Sequence, residues 1–124
     1  MEEQLLPVVQ RAYDLNKWLL PRVERFSRRY KFSLGDRIQS AALDLCLALV
    51  EAGHSQSKDR PLHRASRLLD QLRLLLRLAA DVGELSARQL EFVSGIHEEI
   101  GRMIGGWLKA ARADLKGRQG SLLP

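Results

Sequence analysis

The chain has 124 residues, 45% of them apolar, a single cysteine and a formal charge of +5. That length buries one core, and the lone thiol, Cys46, excludes an intrachain disulfide and fits a reducing compartment. No apolar run reaches the roughly 18–20 residues of a membrane span, and the opening MEEQ is acidic where a secretory leader is positive, so a cytoplasmic protein is expected.

The first amphipathic segment is expected to be a helix over Leu5 to Phe26. Val8, Val9, Ala12, Leu15, Leu19 and Val23 recur at spacings of three and four. Pro7 suits a first turn. Pro21 removes a donor and crowds the carbonyl four residues back, which predicts a kink or a break. A basic, aromatic stretch follows. Between Arg22 and Arg37 lie six cations against two acids, Glu24 and Asp36. Phe26, Tyr30 and Phe32 sit among them and are expected to close the turn to the next helix.

Ser33 is the expected N-cap of the second helix, with Asp36 three residues on as a variant capping box. Leu34, Ile38, Ala41, Ala42, Leu45, Leu49 and Ala52 form its core face, and Gly53 is its expected stop. The polar stretch from His54 to Asp59 reads as a loop. A third helix begins near Asp59 or Arg60 and ends at Gly83. Its stripe is Leu62, Ala65, Leu69, Leu72, Leu76 and Ala79. Leu68, Leu74, Leu75, Leu78 and Val82 widen the apolar arc beyond what one bundle needs, which predicts a second subunit on that face.

The fourth helix is expected from Ala87 to Lys116, with Ser86 and Gln89 as a capping box. Val93, Ile96, Ile100, Ile104, Trp107, Ala111 and Leu115 share a face. Gly95, Gly101, Gly105 and Gly106 lie inside it, each costing on the order of 0.8–1 kcal/mol against Ala; they predict either a close helix approach or a bend. The whole reads as an all-α, antiparallel up-down four-helix bundle over residues 1–116, with a short flexible tail over 117–124.

The patterns that carry catalysis are absent. The nearest approach to a zinc helix is His97-Glu98-Glu99-Ile100-Gly101, where glycine replaces the second histidine. His54, His63 and His97 are not brought together by spacing, and Glu98 and Glu99 are adjacent, so they do not face each other on a helix. The di-metal pattern of two Glu-x-x-His motifs is absent, Glu51-Ala52-Gly53-His54 being the single instance of that spacing, and there is no phosphate-cradling loop. A non-enzyme without cofactor or metal is expected.

The charge is unevenly placed. Lys58 to Arg77 holds six cations and two acids, whereas Asp81 to Glu99 holds five acids and one cation, Arg88. Arginine dominates, which suits bidentate phosphate contact. Arg22, Arg25, Arg28, Arg29 and Lys31, with Arg60, Arg64, Arg67, Arg73 and Arg77 on the third helix, are the candidate surface for nucleic acid or another acidic partner.

The stretch LLPRVERFSRRYKFSLGDRIQSAALDLCLALVEA resembles the accessory variability determinant (Avd) proteins of diversity-generating retroelements. The matches are Leu20-Pro21, the basic-aromatic turn to Phe32, and Leu34-Gly35-Asp36-Arg37-Ile38-Gln39. The resemblance implies four-helix bundles assembled as a basic, barrel-like homopentamer. It implies association with the element's reverse transcriptase and binding of RNA or DNA without strong sequence preference. The same resemblance makes Gly35 and Asp36 family marks that start the second helix. A stand-alone bundle adaptor, or an RNA-binding protein of the type encoded by ribosomal-RNA intervening sequences, is the alternative within the wider set.

Overall fold

The computed structural model describes residues 6–122 of the chain, and within the last helix it describes side chains as far as residue 117. The elements are α1 (Pro7–Glu24), α2 (Arg28–Tyr30), a π-helical turn (Lys31–Gly35), α3 (Asp36–His54), α4 (Asp59–Asp81) and α5 (Ala87–Leu122). Because α2, the π turn and α3 run on without interruption, the elements make four rods, and no strand occurs among the described residues.

The rods form a four-helix bundle of alternating direction. Asn16 on α1 meets Ala42 on α3, and Val23 and Phe26 meet Gly35 at the other end. Arg11 meets Glu99 and Trp18 meets Phe92, so α5 runs antiparallel to α1. His97 meets Leu69 while Arg112 meets His63, so α5 is antiparallel to α4 as well. The first three rods bury the stripe that their spacing predicted, and α5 buries its own as far as Ile104. Every expected core residue from Val8 to Ile104 is buried; Leu5 lies outside the described residues.

Several boundaries differ from expectation, each for a physical reason. α1 passes through Pro21 without a break, with Leu19 and Val23 on either side both locked in the core. The next rod begins at Arg28, with Ser27 rather than Ser33 as its cap. Ser33 lies inside the π turn, where its hydroxyl bonds to the Tyr30 carbonyl. α3 ends at His54, one residue past Gly53. Lys58 closes that end, donating to the carbonyls of Ala52 and Ser55 at 2.8 and 2.5 Å. Gly53 instead makes room for Leu6, whose Cδ1 would stand 3.2 Å from an added Cβ.

The other two boundaries of α4 and α5 follow the sequence. Gly83 is the one positive-φ residue among those described, at 87°, and it terminates α4. Ser86 and Gln89 form a reciprocal capping box, with bonds of 2.9 and 3.0 Å. α5 does not stop at Lys116; it continues to Leu122, because Gly117 keeps a helical backbone and never turns to positive φ. Leu123 and Pro124 lie outside the described residues.

α5 outlasts its neighbours. Its 36 residues span about 54 Å at about 1.5 Å per residue, and α1 begins opposite its middle. That is why the α5 stripe is buried to Ile104, half-buried at Trp107 and Ala111, and exposed at Leu115. Gly95, Gly105 and Gly106 have no atom within 4 Å of an added Cβ, so no helix of the same chain approaches closely there.

Candidate nucleic-acid interface

The basic stretch folds as the end of the bundle where α1 hands over to α2. α1 stops at Glu24, and Phe26 drops into the core as a plug. The N–H of Ser27 donates to the Glu84 carboxylate at 3.0 Å, and its hydroxyl bonds to the same group. Glu84 belongs to the α4–α5 turn, so the two turns at this end are clasped together. Gly35 is pressed against α1: an added Cβ would stand 3.1 Å from Val23 Cγ1 and 3.4 Å from Phe26 Cδ2. The most family-marked residue of the stretch is therefore a packing residue. It lets the π turn lie on α1.

The ten candidate cations separate into groups. Arg22 is committed to the fold: its guanidinium sits 4.3 Å over the Trp18 ring and donates to the Trp18 carbonyl at 2.9 Å. Trp18 in turn packs on Phe92, at 5.4 Å between centroids, so Arg22 completes a stack that joins α1 to α5. Lys31 pairs with Glu24 at 3.1 Å. Arg25, Arg28 and Arg29 are exposed and make no ion pair among the described residues.

Arg73 and Arg77 lie in the second half of α4, which leads to Glu84 and so to this same end. Both are exposed and unpaired among the described residues. Arg60, Arg64 and Arg67 lie in the first half of α4, toward the opposite end. At about 100° per residue, Arg64 and Arg73 also fall on opposite flanks of the helix. The structure thus groups Arg25, Arg28 and Arg29 at one end of the bundle, with Arg73 and Arg77 in the half of α4 that leads toward it and Arg60, Arg64 and Arg67 in the half that leads away.

The opposite end has its own charges, several already engaged. Lys58 caps α3 and stands 6.0 Å from the Trp107 ring centroid. Arg112 and His63 share Asp59, and Arg112 lies 3.2 Å from His63 Nε2. Sequence reading had no signal for the ties of Lys58 to Trp107 and of Arg112 to His63 and Asp59, which join residues about fifty positions apart. His97 donates from Nε2 to the Leu69 carbonyl at 2.7 Å. No three His, Cys, Asp or Glu side chains gather as a metal site among the described residues. Burial pushes the Cys46 thiol above its ordinary range.

The outer surfaces of α3 and α4 carry exposed leucines. Leu47 and Leu74 are 63% and 69% exposed, with Leu43 and Leu78 beside them in sequence register. A groove of about 480 Å³ runs there, with Ala41, Leu68, Leu74 and Leu75 along it and Asp36, Arg37, Ser40, Asp44 and Gln71 among its lining. Leu68 and Leu75 are half-buried, so the wide arc expected of this helix divides into a groove floor and an open rim. No helix of the described residues is long and apolar enough to cross a membrane.

The profile of the bAvd-like family matches residues 6–111, from the start of the bundle to the end of its packed part. No curated protein matches the chain significantly.

Proposed function

The chain belongs to the bAvd-like family, and from that premise we propose that it is a non-catalytic accessory subunit of a diversity-generating retroelement. In this reading it binds the element's reverse transcriptase and nucleic acid in the cytoplasm and supports mutagenic reverse transcription. The observation that carries the reading is the end cluster of Arg25, Arg28 and Arg29, exposed and without carboxylate partners among the described residues. Arg73 and Arg77 on α4 are likewise exposed and unpaired among the described residues. Arginines held free of ion pairs on a rigid end face contact phosphates by charge and by bidentate hydrogen bonds without reading bases.

The homopentamer belongs to the same proposal. The exposed Leu43, Leu47, Leu74 and Leu78 on α3 and α4 support it, because exposed large apolar side chains that cluster on a surface are candidates for burial against another subunit. Two measurements on the purified chain test the reading. Affinity for an oligonucleotide is expected to fall steeply as salt rises, and the chain is expected to co-purify with the co-expressed reverse transcriptase. A flat salt response together with no co-purification overturns it. A solution mass equal to the 14.1 kDa of one chain overturns the oligomer.

A further inference from the structure

The three aromatic residues of the basic stretch have three different fates. Phe26 is 5% exposed and fills the core, and Tyr30 is half-buried against it. Phe32, expected to close the turn with them, is 69% exposed and closes nothing. Its position is nevertheless fixed. It lies in the π turn, whose Leu34 and Gly35 are both buried and whose backbone is held against Val23 and Phe26. A π turn adds a residue to the helical repeat and re-aims the side chains it carries, and such turns recur at functional sites.

The ring also has cationic neighbours. Lys31 Nζ stands 5.6 Å from its centroid, and the Arg29 guanidinium stands 5.6 Å over Tyr30. Arg28 and Arg29 precede Phe32 by about one turn. Of the two acids between Arg22 and Arg37, Glu24 is held by Lys31, while Asp36 is exposed one turn beyond the ring. Arg28, Arg29 and Lys31 therefore flank Phe32 on the side of α2, and Asp36 and Arg37 follow it on the side of α3.

We propose that Phe32 is a base-stacking platform and that the ligand of this end is single-stranded nucleic acid. The inference rests on the nucleic-acid reading above and adds the strandedness of the ligand. A duplex hides the faces of its bases within its own stack, so a projecting phenyl ring gains nothing from it. An unpaired strand offers a base face to the ring, while its phosphates pass Arg25, Arg28 and Arg29. Every base has such a face, so the contact tolerates any sequence.

The test compares the full-length protein with F32A, F32W and R28Q/R29Q. Affinities are measured at fixed salt for an unpaired oligothymidylate and for a duplex of the same length. F32A is expected to weaken single-strand binding by about five- to a hundredfold and to leave duplex binding and thermal unfolding unchanged. F32W is expected to restore single-strand binding, and R28Q/R29Q to weaken both ligands. Equal single-strand affinity of F32A and the unsubstituted protein overturns the platform while leaving the parent reading intact. So does an F32A protein that changes only its solution mass or its co-purification with the reverse transcriptase, which assigns the ring to a protein interface. Binding of neither nucleic acid by the unsubstituted protein overturns both.

Discussion

Glu84 caps a helix to which it does not belong. Its carboxylate, in the α4–α5 turn, accepts from the N–H of Ser27 at 3.0 Å and bonds to the Ser27 hydroxyl. Ser27 is the N-cap of α2, yet its own side chain makes no bond to that helix. In a capping box the acid comes from the third helical position; here it comes from the far side of the bundle. The start of α2 and the turn before α5 are thereby fixed to each other, and the arginines between Arg25 and Arg29 are carried on a closed clasp.

Replacing Glu84 with Ala is expected to lower stability by about 0.5–2 kcal/mol, the usual cost of a lost cap. Urea unfolding followed by circular dichroism measures it. The E84Q variant keeps an acceptor and should lose less. An E84A protein as stable as the parent would show that the clasp contributes nothing net.

The glycines divide by what surrounds them. At Gly35 an added Cβ meets Val23 Cγ1 at 3.1 Å and Phe26 Cδ2 at 3.4 Å, and both side chains are buried and cannot retreat. Overpacking of this kind costs about 1–3 kcal/mol, which outweighs the gain in helix propensity. At Gly53 the neighbour is Leu6, itself exposed and able to swing away. At Gly105 nothing lies within 4 Å. G35A should therefore destabilise the protein, G53A should be nearly neutral, and G105A should stabilise it by up to about 0.8–1 kcal/mol. Thermal melts of the three variants give the order. A destabilising G105A accompanied by a smaller solution mass would place Gly105 in a contact between subunits.

What the sequence made legible was local. The capping box of Ser86 and Gln89, the stop at Gly83 and all four buried stripes depend on residues within a few positions of each other, and each was readable from spacing. The start of α2 was not, because its cap lies at Glu84. The fate of Arg22 was not, because Trp18 and Phe92 must first be brought together. Phe32 carried a signal that went unused: counting back from Ile38 at about 100° per residue places it well off the core stripe.

The division of the arginines gives a third prediction. R25Q/R28Q/R29Q should weaken nucleic-acid binding and reduce the salt slope by about 0.7–0.9 for each phosphate contact removed. R60Q/R64Q/R67Q, toward the opposite end, should change both far less. R22A should act differently from either. It removes a cation–π contact and a hydrogen bond to the Trp18 carbonyl, so it should lower stability, by about 0.5–2 kcal/mol for the cation–π contact alone, with little effect on the salt slope. Fluorescence anisotropy across a salt series, paired with urea unfolding, separates the three. Equal losses from the two triple variants would remove the end cluster as a distinct site.

The last prediction concerns Cys46, whose thiol is raised above its ordinary value of 9.0 by desolvation. A raised folded value means that the folded protein keeps the thiol protonated where the unfolded chain has begun to lose its proton. Below pH 9 both states hold the proton and the contribution to stability is complete. As pH rises from the unfolded value through the folded one, the unfolded chain releases its proton first and that contribution is lost. Two measurements follow. Iodoacetamide should label the folded protein more slowly than the urea-unfolded chain at pH 8, since the thiolate is the reactive form. Between pH 8 and pH 10 the parent should lose more stability than C46A, the comparison cancelling every other group that titrates in that range. Equal losses in the two proteins would mean that the thiol titrates alike in the folded and unfolded states.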